Sequence, residues 1–204
     1  MKTQDGRLVV IAGASRSGKT AYVRQQVAGA VRVVAHDPED QWSQVKGWQR
    51  VTSRAQLLGT LQRDQGPLRL AYVSGGNLGD EFGFLCGCVQ YAGRFVAPLD
   101  FIAEELSDVT TPAKAPGNWG LLLRRGLKRG INIWAISQRW AEADKTAVGN
   151  ASEFVLFRQS SGDDVVYLSK KTRVPAVEID GLKPLEFVRY DAYKQTFERG
   201  KLTF

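Results

Sequence analysis

The chain has 204 residues, 43% of them hydrophobic and 24% charged, which suits a soluble domain able to bury a substantial core. Its apolar runs are only strand-sized, its start (MKTQDGRLVV) lacks a leader-like stretch, and two cysteines with one histidine exclude a disulfide framework, a His-based triad and a zinc set. The formal charge of +7 permits a polyanionic partner, and the cysteine usage predicts a reducing compartment.

Short apolar, β-branched runs alternate with helix-length segments, which predicts an α/β domain with a mainly parallel sheet. The first strand, 8–12, runs into GASRSGKT, which matches G-x-x-x-x-G-K-[ST] from Gly13 to Thr20. Phosphate oxygens need several backbone N–H groups pointing inward, and glycine accepts the winding this demands. The loop feeds a helix at 19–28, whose unpaired N–H groups and dipole favour an anion. Gly13, Ala14, Ser15, Arg16, Ser17, Gly18, Lys19 and Thr20 are therefore expected to bind nucleotide. Lys19 would reach the β- and γ-phosphates, and the Thr20 hydroxyl would ligate Mg²⁺.

A strand at 31–35, a helix at 54–63 and a strand at 68–73 follow. The turn-forming SGGNLGD at 74–80 precedes a helix at 81–91, in which Cys86 and Cys88 read as core filler. A strand at 101–104 then ends in Glu104 and Glu105. Nucleotide hydrolysis needs a carboxylate near the metal and a group that polarises water, usually at the end of a neighbouring strand. Glu104 is read as the metal-side acid, one methylene longer than the Asp usual in a Walker B pair, and Glu105 as the water-polarising base. Asp100 precedes the apolar run and falls at the wrong end of the strand.

Past the loop TTPAKAPGN (110–118), a helix at 119–128 leads to Arg124, Arg125, Lys128 and Arg129. Their spacing puts them on one face, with residues 121–123 facing inward, as a candidate contact for DNA phosphates. Lys170, Lys171 and Arg173 make a second basic cluster. A strand at 131–137 ends at Gln138, whose amide can accept from water and donate to a γ-phosphate. A strand at 154–157 ends at Arg158, and a helix at 163–170 follows QSSGDD. After Val174, EFVRYD and QTFERGKLTF predict a terminal hairpin added to the sheet. The chain reads as one domain, with a core of about 8–170 and a β extension of about 174–204.

This order of elements resembles the FtsK/HerA superfamily of DNA-pumping ATPases. The resemblance rests on GASRSGKT, the strand ending in Glu104 and Glu105, RRGLKRGINIWAISQRW, ASEFVLFRQSSGDDVVYLS, and HDPEDQW at 36–42. Small members without a membrane domain are similar to the genome-packaging ATPases of membrane-containing icosahedral viruses. The resemblance implies a RecA-like (ASCE) P-loop NTPase fold and an ATP- and Mg²⁺-dependent translocase of double-stranded DNA. It also implies a hexameric ring, a capsid vertex as partner, and residence in the virion and the host cytoplasm. An arginine from the next subunit would complete each site: Arg158 first, then Arg125 or Arg129, with Arg139 able to act in cis beside Gln138. The family often has Gly-Arg near the end of the basic helix, where this chain has Gly126-Leu127. Two other readings of the loop are a small nucleotide or nucleoside kinase and a nucleotide-binding phage assembly factor. The first needs a second substrate pocket and an arginine-rich lid, and the second usually carries a transmembrane segment.

Overall fold

A computed structural model of the chain describes residues 5–63, 66–93, 98–113 and 115–204. Residues 1–4 of the opening segment and residue 114 of the 110–118 loop lie outside that set. The centre is a nine-stranded sheet of order β3-β4-β2-β5-β6-β1-β7-β8-β9. Its strands are β1 (Leu8–Ala12), β2 (Arg32–His36), β3 (Gln49–Val51), β4 (Leu68–Tyr72), β5 (Leu99–Ala103), β6 (Ile131–Ser137), β7 (Glu153–Phe157), β8 (Glu186–Asp191) and β9 (Thr196–Lys201). The first seven pair in parallel, and β8 and β9 continue the sheet as the expected antiparallel hairpin.

Strands buried on both faces need apolar residues at every position, and β1 (LVVIA) is buried throughout. One face carries α2 (Arg54–Arg63), α3 (Leu78–Ala92), α4 (Leu106–Val109), α5 (Gly117–Arg125), α6 (Lys145–Asn150), α7 (Gly162–Thr172) and α8 (Ala176–Asp180). The other is covered by α1 (Lys19–Gln26), by Trp42 and by Leu202 beyond β9. Cys86 and Cys88 are buried on α3, as filler. Among the described residues no helix is long and apolar enough to cross a membrane.

Side chains set the helix ends. Asn77 accepts the Asp80 N–H and starts α3 at residue 78, so part of SGGNLGD is helical. Asp144 accepts the N–H groups of Thr146 and Ala147, which launches α6, a helix without enough periodic sequence to announce itself. Ser161 caps α7, with Asp163 and Asp164 in its first turn and Lys170 and Lys171 in its last, matching the helix dipole at both ends. The basic helix is shorter than its sequence suggests. α5 ends at Arg125, a 3₁₀ turn occupies Leu127–Arg129, and Gly130 takes the left-handed conformation (φ 73) that admits β6. The four basic residues therefore sit on two short segments instead of one continuous helical face. Arg129 is also tied to α3, donating to the Gln90 carbonyl at 3.3 Å.

Parallel pairing brings the carboxyl ends of β1, β2, β5, β6 and β7 to one edge. His36 lies opposite Ala103, and Ala12 opposite Ser137. Glu104 and Glu105, Gln138 and the Gly13–Thr20 loop follow directly from those positions. This is the edge at which open α/β sheets bind ligands.

Candidate nucleotide site

The loop after β1 is wound where side chains would not fit. Gly18 has φ 116, and a Cβ on it would stand 2.8 Å from Leu202 Cδ1 and 3.1 Å from Phe157 Cε1. A Cβ on Gly13 would stand 2.7 Å from Phe157 Cβ. Arg16, at the exposed tip, holds a left-handed φ of 59. Ser17 is buried, and its Oγ has no hydrogen-bond partner among the described residues. Such an orphaned hydroxyl beside a ring of backbone N–H groups suits a phosphate oxygen as acceptor.

Lys19 is buried at the start of α1 and donates to the carbonyls of Gly13 (2.8 Å) and Ala14 (3.0 Å). Those bonds aim the ammonium across the loop and leave one of its three protons for another acceptor. Burial lowers its pKa, against the raising pull of Glu105, Glu104 and Glu39.

Glu104 is almost wholly buried, and its Oε1 accepts from the Thr20 hydroxyl (3.3 Å) and the Trp42 indole N–H (2.9 Å). Burial lifts its pKa from 4.5 to about 7, with Glu105 adding to the rise, while the Trp42 bond, Lys19 and Thr20 oppose it. The Glu104 carbonyl faces His36 Nδ1 at 3.2 Å, and burial drops the His36 pKa from 6.5 to about 4, so the ring is neutral. Among the described residues no group of three acidic, Cys or His side chains forms a metal cage. The Thr20 hydroxyl and Glu104 carboxylate instead make a two-oxygen corner beside the loop, which fits Mg²⁺ held jointly by protein and phosphate oxygens.

Glu105 takes φ 46, a strained setting for a residue with a Cβ, and turns back along the sheet edge. Its Oε1 accepts from Gln138 Nε2 at 2.9 Å, so the ends of β5 and β6 are joined by the two residues read as base and γ-phosphate sensor. A cleft of about 540 Å³ is bounded by the loop, Glu105, Gln138, Glu39, Gln41 and Leu185, a size suited to a nucleotide.

The arginines differ in setting. Arg158 is exposed, and its carbonyl accepts the Ala14 N–H at 2.8 Å, fixing its backbone beside the phosphate loop. Arg139 is engaged elsewhere in the chain, paired with buried Asp164 on α7 (3.1 Å) and with Glu142 (2.7 Å). Arg124, Arg125, Lys128 and Arg129 precede β6 and lie toward its amino end, opposite the cleft.

Two contributors were not assigned a role from sequence. Asp37 accepts the N–H groups of Gln41 (2.8 Å), Trp42 (3.0 Å) and Ser43 (3.0 Å), which folds HDPEDQW into a knot that delivers Trp42 to Glu104. Arg24 steadies the knot, donating to the Gln41 carbonyl at 2.9 Å and lying 5.4 Å over the Trp42 ring. An Asp-Pro pair ahead of polar residues is a turn signal, so the knot was legible in principle, although its indole partner was not. Leu185, the other, carries no sequence signal and reaches the cleft only through the hairpin.

No family model matches the chain. Over 142 residues it is 34% identical to protein P9 of Pseudoalteromonas phage PM2, covering 68% of this chain and 62% of that protein. The chain thus spans less than two thirds of that relative's length. Among solved structures, the genome packaging NTPase B204 of Sulfolobus turreted icosahedral virus 2, in complex with AMPPCP, superposes with a TM-score of 0.81 at 18% identity, over 99% of this chain and 100% of that one. The bacterial conjugative coupling protein TrwB gives 0.68 at 10% identity, over 98% and 85%. The fold is that of the P-loop NTPases, and the likeness to viral genome-packaging ATPases read from the sequence is borne out.

Proposed function

We propose that this chain is an ATP-hydrolysing motor that packages double-stranded viral DNA into a preformed capsid. The observation that carries this reading is the Glu105–Gln138 hydrogen bond (2.9 Å) at the mouth of the phosphate-loop cleft. Such a pair belongs to water activation beside a γ-phosphate. Transfer to a second substrate has no use for it. The packaging role given in the name of B204 supports the cargo.

Bound ATP supplies the phosphoryl group and the free energy of its transfer to water. The loop N–H groups and the Lys19 ammonium would neutralise phosphate charge, and Thr20 with Glu104 would hold Mg²⁺, which would draw charge from the phosphate oxygens. Glu105 orients the attacking water and takes its proton, while Gln138 holds Glu105 in place and senses the γ-phosphate. Arg158 of one subunit completes the site of its neighbour in a hexameric ring. Arg124, Arg125, Lys128 and Arg129 grip DNA phosphates without reading bases, as a motor indifferent to sequence requires. The ring works at a capsid vertex, in the virion and in the host cytoplasm, and the domain is one P-loop unit of about 8–170 with a β extension of about 174–204.

The test is ATP turnover with and without long duplex DNA for wild type, Lys19→Ala and Glu105→Gln, alongside mass in solution. Wild type should form a ring whose turnover rises with DNA. Lys19→Ala should lose nucleotide binding, and Glu105→Gln should bind ATP but turn over about 10²–10⁴-fold more slowly. A monomer whose turnover ignores DNA would sink the reading.

A further inference from the structure

The cleft has two ends. Glu105 and Gln138 stand at the γ-phosphate end, so the nucleoside of a bound nucleotide must leave past the start of α1, at the end bounded by Leu185. Leu185 is not in an ordinary loop position. It holds φ 67, left-handed for a branched apolar residue, and two hydrogen bonds impose it. Its N–H donates to the Ser17 carbonyl (3.3 Å), and its own carbonyl accepts from the Leu202 N–H (2.9 Å). Its Cδ2 lies 3.3 Å from where a Gly18 Cβ would be, and the side chain stays half-buried. The strand end behind it is anchored to α1, because Gln25 Nε2 donates to the Thr203 carbonyl at 3.0 Å. The hairpin after β7 is thus stitched to the phosphate loop, and a strained apolar residue, packed partly on the hydrophobic cluster beneath the loop, lines the cleft.

We propose that Leu185 is the apolar wall on which the nucleobase of the bound nucleotide packs, so that the C-terminal hairpin supplies the base subsite of the ATP site. A flat, weakly hydrated base next to phosphates needs one apolar surface that the polar phosphate loop cannot provide. On this proposal the left-handed backbone serves to aim the side chain, since loop bracing alone would be served by glycine or asparagine. The proposal rests on the nucleotide-site part of the reading above and is independent of the DNA part.

The experiment compares binding of ATP and of inorganic tripolyphosphate, which has no base, by wild type, Leu185→Gly, Leu185→Asn and Leu185→Met in magnesium buffer. Glycine and asparagine both accept the left-handed backbone. Those two variants should bind ATP about tenfold more weakly and tripolyphosphate as wild type does, whereas Leu185→Met should keep both affinities. Equal losses for the two ligands would make Leu185 a brace for the loop and overturn the base wall, as would no loss for either. Tripolyphosphate binding by wild type checks the phosphate loop separately: if wild type binds neither ligand, the nucleotide reading falls with the proposal.

Discussion

Glu104 carries its carboxyl where water barely reaches, with Trp42 and Thr20 donating to one oxygen. A buried acid whose pKa rises from 4.5 to about 7 keeps in the folded chain a proton that the unfolded chain has released. Stability is therefore lost as pH climbs through that window, and the cost is complete above it. Glutamine keeps an acceptor for Trp42 without the charge. Glu104→Gln should accordingly be more stable than wild type at pH 8, by about 2–3 kcal/mol, with the difference vanishing toward pH 4.5. Thermal melts across pH, without nucleotide, check this, and magnesium-dependent turnover should be lost in the same variant. At this scale the sequence was informative wherever chemistry restricts the residue type. Lys19, Thr20, Glu105 and Gln138 lie together at one edge as their types required. Trp42 carries no role in the sequence because an indole offers the same apolar surface in a core or an interface, and only the nearby carboxylate reveals its N–H as a positioning group.

The segment after β2 is a loop held by one side chain. The Asp37 carboxylate takes three backbone N–H groups and is itself buried. Removing it leaves those donors without a partner and frees Trp42 from its place against Glu104. Asp37→Ala should cost about 2–4 kcal/mol by denaturant melt and weaken magnesium-dependent ATP binding, while Asp37→Asn, which keeps one acceptor, should lie between it and wild type. An unchanged melt would mean that the knot holds without its carboxylate. Elements built on strong periodicity were legible: the strand at 131–137 and the helix at 54–63 coincide with β6 and α2. β3 and the short α4, α6 and α8 were not, since stretches of three to six residues derive their stability from tertiary contacts and caps. The basic helix was read too long because the i, i+4 pattern of charges continues through Gly126, where the backbone passes from α-helix to a 3₁₀ turn.

Across the whole molecule, the basic residues before β6 and Gln138 after it, bonded to Glu105 at the end of β5, lie at opposite edges of the sheet, roughly 20 Å apart along that strand. β6 therefore joins the edge that carries the basic residues to the edge that carries the cleft. The ring proposed above would decide the role of one further residue. Arg158 is exposed, and its backbone is bonded to the phosphate loop of its own chain. Its role is thus a choice between its own site and a neighbour's. Acting in trans, Arg158→Ala should bind ATP normally and turn over about 10³-fold more slowly. Rings mixed from Arg158→Ala and Lys19→Ala subunits should then recover part of the activity that each lacks alone. Turnover of mixed and unmixed rings at fixed total protein checks this, and no recovery on mixing would assign Arg158 to its own site.

By itself the sequence determined the alternation of strands and helices, the phosphate loop, the acidic pair and the polar residue ending each central strand. Those features rest on local periodicity and on residue types that the chemistry leaves little freedom to replace. Only the tertiary structure decided that Glu104 is buried and raised in pKa by its surroundings, that Arg139 is occupied by Asp164, and that a hairpin nearly 170 residues downstream stitches Leu185 to Ser17. Each depends on which remote groups share a space. Desolvation and long-range packing are properties of that space, and a linear order of residues does not carry them.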